Sequence, residues 1–175
     1  MDLFDAIQRR CSYRGPFTAA AVPREHLRQI VQAGIQAPSG RNEQTTSFVI
    51  VDDPALLGEI AAVVRRPVCE TCRAMIACVT DPRPVFKGFS FAAEDCAAAV
   101  ENMLLAIAAL GYATVWLDGV LRLEGKAAQV GALLGVPAGL SVRILLPIGV
   151  PAEPCAQKEK LPFERRAWFN RFAAG

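Results

Sequence analysis

The segment FAAEDCAAAVENMLLAIAALG, residues 91–111, constrains this chain more than any other stretch. It reads as helical throughout, is apolar on most of its circumference, and ends at a glycine stop signal. A helix apolar nearly all round must be buried on more than one side. In a chain of 175 residues, one of those sides is expected to be another subunit. The longest uncharged apolar run, Asn102 to Leu117, is too short and too broken by Gly111 and Tyr112 to span a bilayer.

The rest of the chain alternates helix and strand signals. Leu27, Ile30, Val31 and Ile35 share one face of PREHLRQIVQAGI, with Pro23 suited to a first turn. Leu56, Leu57, Ile60, Ala61 and Val64 repeat the pattern after Pro54, and Leu123, Ala127, Val130 and Leu134 do so before Gly135. Short apolar runs bounded by turn signals predict strands at Ser47 to Val51, Met75 to Thr80, Ala113 to Leu117 and Val142 to Ile148. Mixed elements of this kind predict an α/β or α+β fold, a sheet covered by helices. With no repeat, linker or low-complexity segment, residues 1–175 read as one domain.

Composition narrows the function classes. Hydrophobic residues make up 53% and charged residues 21%, the profile of a compact globular chain. Net charge is only +2, so no nucleic-acid footprint is implied. Its distribution is uneven: five arginines against three acids in residues 1–30, and five lysines or arginines against three in 151–175. The intervening residues carry nine bases against eleven acids. Basic ends around an acidic body suit a small anionic ligand held by both termini, and also suit plain solvated charge. The start, MDLFDAIQRR, runs acidic then basic, the reverse of a signal peptide, so a cytoplasmic protein is expected. Six cysteines in such a chain favour reduced thiols over a disulfide scaffold.

Common catalytic signatures are missing: neither G-x-G-x-x-G nor G-x-x-x-x-G-K-[ST] occurs. His26, the single histidine, lies beside Glu25 on an amphipathic helix and reads as a surface residue, so a His-dependent triad has little to build on. Four polar groupings at element ends remain. RRCSYR, residues 9–14, presents Arg10, Ser12 and Arg14 in alternation, one face of an extended segment. APSGRNEQ offers Asn42 and Gln44, whose carboxamides are both donor and acceptor and match a ring edge with N–H beside C=O. WLDG, residues 116–119, ends a strand at a glycine that lets backbone approach a flat ligand. KEKLP, residues 158–162, puts Lys158 and Lys160 on one side. Taken singly, these also fit a solvated loop, a turn cap and a charged surface stretch.

In order and spacing the four groupings resemble the nitroreductase family of FMN-dependent oxidoreductases, over essentially the whole chain. EDCAAAVENMLLAIAALGYATVWLDG and LPIGVPAE…KEKLPFERRAWFNRF carry the later part of the match. The resemblance implies a nitroreductase-type sandwich, a mostly antiparallel mixed sheet between helices, in an intertwined homodimer with two FMN sites at the interface. It implies Arg10, Ser12 and Arg14, with Cys11 between them, at the FMN phosphate and ribityl chain. Asn42 would meet the pyrimidine side of the ring, with Gln44 close by and Ser39 also among the cofactor-binding residues. Backbone amides at Asp118 and Gly119 would face flavin N5, and Lys158 and Lys160 would add phosphate cations. It further implies ping-pong transfer of hydride from NAD(P)H to a nitroaromatic, a quinone or a similar acceptor, the cofactor carrying the chemistry. The family often has Pro-Trp after the glutamine where this chain has Thr45-Thr46, so the aromatic wall of the substrate side is absent. The tail aromatics Phe163, Trp168, Phe169 and Phe172 either wrap the partner or pack locally, and the partner is the expected cover.

Two alternatives stay open. One is a specialised flavin enzyme on the same fold, of a flavin-fragmenting or dehalogenating type. The other is a metal- or redox-sensing module on Cys69 and Cys72 of VCETC, with Cys78 and Cys96 beyond. A visible spectrum separates the second from a flavoprotein.

Overall fold

The computed structural model of the chain describes residues 1–172. Six helices and three strands follow one another: α1 (Leu3–Arg9), α2 (Arg24–Ile35), β1 (Thr46–Val51), α3 (Pro54–Val64), α4 (Pro67–Thr71), β2 (Ala74–Thr80), α5 (Ala92–Ala109), α6 (Lys126–Leu133) and β3 (Ser141–Ile148). Local chemistry explains several starts. Asp2 caps α1 by accepting from the Asp5 amide at 2.9 Å. Asp53 caps α3 through the amides of Ala55 and Leu56, with Pro54 in the first turn where a missing N–H costs nothing.

The strands form one antiparallel sheet in the order β1-β2-β3. The central strand β2 is buried at all seven positions, and its sequence AMIACVT accordingly lacks any polar alternation. Successive side chains point to opposite faces. Met75, Ala77 and Val79 therefore pack with Leu57, Ile60, Val64 and Val130 from α3 and α6. Ala74, Ile76 and Cys78 pack with Ile30 from α2 and Cys96, Val100, Met103 and Ile107 from α5. The result is a sheet between two helical layers, as the hydrophobic pattern implied.

Two features of the sheet bear on the candidate site. Opposite the Cys78–Val79 step, β3 holds one extra residue, Arg143, between Val142 and Ile144. A bulge of this kind bends the strand and re-aims a side chain. The strand expected at Ala113 to Leu117 is instead a chain of separate bridges: Ala113 to Gly149, Leu117 to Leu145, and Thr114 to Ser12 in parallel. In the register of the first two bridges Val115 faces Pro147, which has no amide to donate, so a continuous ladder cannot form.

Helix α5 crosses α2 closely because Gly34 has no side chain. A Cβ there would lie 2.9 Å from Met103 Cγ. Asn102 Nδ2 donates to the Ala33 carbonyl at 3.1 Å and closes the crossing. The other flank of α5, with Ala97, Ala98, Leu105 and Ala108, is only half-buried. Leu123, expected within α6, precedes it, and a left-handed turn at Gly125 (φ 65°) leads into the helix. Among the described residues no helix is long and apolar enough to cross a membrane.

Candidate flavin site

The RRCSYR segment leaves α1 and runs beside Thr114, with the Tyr13 amide donating to the Thr114 carbonyl at 2.9 Å. Its two implied phosphate cations diverge. Arg10 lines a cleft of about 240 Å³ with Arg9, Cys11, Tyr112 and Thr114, and its guanidinium lies 3.6 Å from Glu101 of α5. Arg14 lines a second cleft of about 410 Å³, together with Arg66, Trp116, Asp118 and Gly119. Ser12 is exposed between them.

The second cleft is built around the 3-10 turn Gly119–Arg122, which begins after Asp118. The first amides of such a turn have no partner within it. No atom lies within 4 Å of where a Gly119 Cβ would stand, so the backbone is open to a flat ligand. The Asp118 carboxylate faces away from this task. It accepts from Arg122 Nε at 2.8 Å and Nη2 at 2.7 Å, and from Arg143 Nη1 at 2.8 Å. The hydrogen bond from Arg122, helped by the charge of Arg143, holds its carboxyl below the usual carboxylate range. The bulge in β3 thus delivers the second arginine that pins the turn.

The APSGRNEQ stretch makes a strained corner. Arg41, Asn42 and Gln44 all have positive φ (55°, 60° and 51°), a region that side chains other than Asn and Asp rarely enter. The strain is held from below. Asp95, 5% exposed at the start of α5, accepts from the Gly40 amide at 2.7 Å and from Thr45 Oγ1 at 2.6 Å. Ser39 Oγ accepts from the Gln44 amide at 3.1 Å, and Arg83 Nη2 donates to the Glu43 carbonyl at 3.0 Å. Asn42 and Gln44 are left exposed at the crest. Ser39 and Gln44 line a third cleft with Thr45, Thr46 and Asp95. Thr45, read from the sequence as a lost aromatic wall, is therefore a buried tie beneath the loop.

Within a single chain the expected residues fall into separate groups. Arg14, Asp118 and Gly119 share one cleft, Ser39 and Gln44 another, and Arg10 a third. Lys158 and Lys160 stand exposed on an irregular stretch. Two buried hydroxyls lack a hydrogen-bond partner among the described residues. Thr114 Oγ1 belongs to a residue lining the Arg10 cleft, and Thr46 Oγ1 to one lining the Ser39 cleft. Orphaned hydroxyls, cations and an open glycine corner form a donor set that fits a phosphorylated flat ligand.

The cysteines require a correction. Reduced thiols were expected throughout, yet Cys11 and Cys155 form a disulfide across a sequence separation of 144. The two ends of the chain run side by side, which no local sequence pattern reveals. Cys11 sulfur is consequently engaged, and only its backbone remains available to a ligand. Cys69, Cys72, Cys78 and Cys96 are free and buried. Burial, with Cys72 beside it, pushes the Cys69 thiol up to about 12, and burial pushes Cys72 up to about 11. Such thiols stay protonated and unreactive at neutral pH. Native protein treated with an aromatic disulfide reagent should release almost no colour from these four, and the full signal only in denaturant. Fast release under native conditions would show that one of them is accessible.

Asp95 escaped sequence reasoning. It is legible only as a first-turn acid favourable to the helix dipole, with nothing to indicate that it holds a loop 55 residues away.

Comparison with known proteins agrees with this fold. The Nitroreductase family profile matches residues 7–74 and 76–150. A protein of Archaeoglobus fulgidus, provisionally named an NADH dehydrogenase/NAD(P)H nitroreductase, is 32% identical over 74% of this chain and 74% of its own length. A solved structure from Bacteroides thetaiotaomicron under the same provisional name covers 97% of this chain and 98% of its own, with 27% identity and a TM-score of 0.85. The NADPH:FMN oxidoreductase of Vibrio harveyi, solved with NAD+, is 25% identical over 98% of this chain and 78% of its own, at a TM-score of 0.84. The sandwich of helices about a small antiparallel sheet, the four ordered motifs and the profile match agree: this chain belongs to the Nitroreductase family.

Proposed function

We propose that this chain is a cytoplasmic FMN-dependent oxidoreductase, a single flavin-binding domain that passes hydride from NAD(P)H to a nitroaromatic, a quinone or a similar acceptor. The observation that carries the reading is the cleft where Arg14 meets the open backbone of Asp118 and Gly119. A cation and unpaired amides at one flat opening suit a ring that gains negative charge on reduction. Bound FMN would supply the hydride chemistry, in a ping-pong order with donor and acceptor alternating on one face.

The protein's own contribution is placement. The Asp118–Arg122–Arg143 ion pairs hold the amide-bearing turn, and Asn42 and Gln44 offer carboxamides to the pyrimidine edge. Arg10, Ser12, Lys158 and Lys160 would hold the phosphate. No general base is needed, which agrees with a histidine occupied elsewhere: His26 Nδ1 lies 2.7 Å from the Tyr112 hydroxyl.

The separate clefts point to a composite site. We infer a homodimer in which Ser39, Asn42 and Gln44 of one chain complete the Arg14–Gly119 cleft of the other. Exposed apolar side chains support it: Leu3, Phe4 and Ile7 on α1, and Phe163, Phe169 and Phe172 in the tail, with Phe4 at 74% and Phe169 at 85%. Together with the half-buried flank of α5 they form the kind of surface that a second copy covers.

Purified protein should be yellow, with about one FMN per chain, and should oxidise NADH or NADPH in the presence of quinone, nitroaromatic or free flavin. Colourless protein that FMN cannot reconstitute would overturn the proposal.

A further inference from the structure

The disulfide lies where the two basic ends of the chain meet. Cys11 sits between Arg10 and Ser12, and Cys155 three residues before Lys158. Upstream of Cys155 the C-terminal segment is well anchored. The Thr18 amide donates to the Val150 carbonyl at 2.9 Å, and the Ala152 amide to the Pro16 carbonyl at 3.0 Å. The Tyr13 hydroxyl accepts from the amides of Ala152 and Glu153. Downstream the picture changes. Among the described residues, positions 154–161 make no backbone–backbone hydrogen bond. Gln157 Nε2 alone reaches across, to the carbonyls of Ile7 at 3.1 Å and Arg10 at 3.2 Å. The disulfide is the one covalent tie between the stretch bearing Lys158 and Lys160 and the RRCSYR segment.

The bond is also accessible. Both cysteines are only half-buried and both line the cleft of about 240 Å³ that holds Arg9 and Arg10. Exposed disulfides are the labile and regulatory kind, and exchange requires a thiolate to reach one sulfur. Arg9 and Arg10 outnumber Glu153, the carboxylate that lines the same cleft, and so favour a thiolate carried on an anionic molecule.

We propose that Cys11–Cys155 is an exchangeable staple, a redox modification site opened by small anionic thiols, that governs how firmly the C-terminal lysines are held at the phosphate site. One thiolate attacks a sulfur of the pair, forming a mixed disulfide and expelling the other cysteine as thiolate. A second thiolate attacks the mixed disulfide, releasing the small-molecule disulfide and the second cysteine thiolate. Two small thiols are oxidised and one protein disulfide is reduced, a balanced two-electron exchange. With the staple open, Gln157 is the remaining link, and Lys158 and Lys160 spend less time near the phosphate.

The inference rests on the flavin assignment above, and the test separates the two. FMN and riboflavin are titrated into apoprotein that is oxidised, reduced by glutathione, or carries Cys155→Ala, with free thiols counted in denaturant. Oxidised protein should show four free thiols and reduced protein six. Opening the bond should weaken FMN roughly three- to tenfold, since charge-assisted contacts are loosened rather than removed, and leave riboflavin unchanged. Glutathione should reduce the bond faster than cysteamine at equal thiolate concentration, and Arg9→Glu should erase that preference. Equal FMN affinity in all three forms, or a bond that resists millimolar glutathione in native protein, overturns the switch. A preference for cysteamine overturns its anionic selectivity. Failure of oxidised protein to bind either flavin sinks the flavin assignment instead, and with it the staple's role.

Discussion

Asp95→Ala is expected to destabilise the protein by about 2–5 kcal/mol and to lower flavin affinity as well. The carboxylate takes two donors, the Gly40 amide and the Thr45 hydroxyl, beneath a loop with three residues at positive φ. Thr45 is 3% exposed and Asp95 5%, so water cannot replace the lost acceptor without opening the loop. A buried donor left unpaired costs about 1–3 kcal/mol, and left-handed backbone at Arg41, Asn42 and Gln44 is held only while its surroundings over-determine it. Asp95→Asn keeps one acceptor oxygen and should cost less than half as much. Denaturant unfolding of the two variants measures the first effect. Riboflavin titration measures the second, because the residues proposed to read the ring are those on the loop. An Asp95→Ala protein as stable as the parent would show that the loop holds itself.

A single cation lost from the proposed phosphate clamp should weaken FMN by roughly ten- to a hundredfold, as follows from about 1.5–3 kcal/mol for a charge-assisted hydrogen bond. Riboflavin carries no phosphate, so Lys160→Ala and Arg10→Ala should leave its affinity nearly unchanged. Asn42→Ala should weaken both ligands alike, since the proposed site sets it against the ring. Arg10 is the more demanding test, because its guanidinium lies beside Glu101 and must reach phosphate from there. If Arg10→Ala leaves FMN untouched while Lys160→Ala weakens it, Arg10 serves the Glu101 contact and the clamp is built on the lysines. If both variants weaken riboflavin as much as FMN, the basic ends do not act through the phosphate, and if neither ligand is weakened they are solvated surface.

These two variants sit on opposite sides of what a sequence can reveal. The motifs RRCSYR, APSGRNEQ, WLDG and KEKLP were legible because they stand at element ends, where polar residues serve no packing need. The layers were legible for the opposite reason. Met75 to Thr80 is an apolar run ending in a threonine and reads as a strand, while the wide apolar face of α5 demanded cover on more than one side. Period and composition are local quantities, and they determined the elements and their buried faces.

Only the tertiary structure decided which groups meet. The Asp95 tie spans 55 residues, the Cys11–Cys155 bond 144, and Arg143 reaches Asp118 only because β3 carries an extra residue opposite β2. The break in the expected strand at Ala113–Leu117 came from Pro147, a residue on a different element that removes one donor from the shared ladder. A side chain's own neighbours in sequence carry no record of such partners. Contacts between distant segments depend on how strands register and helices cross, and those are set by the packing of the whole core.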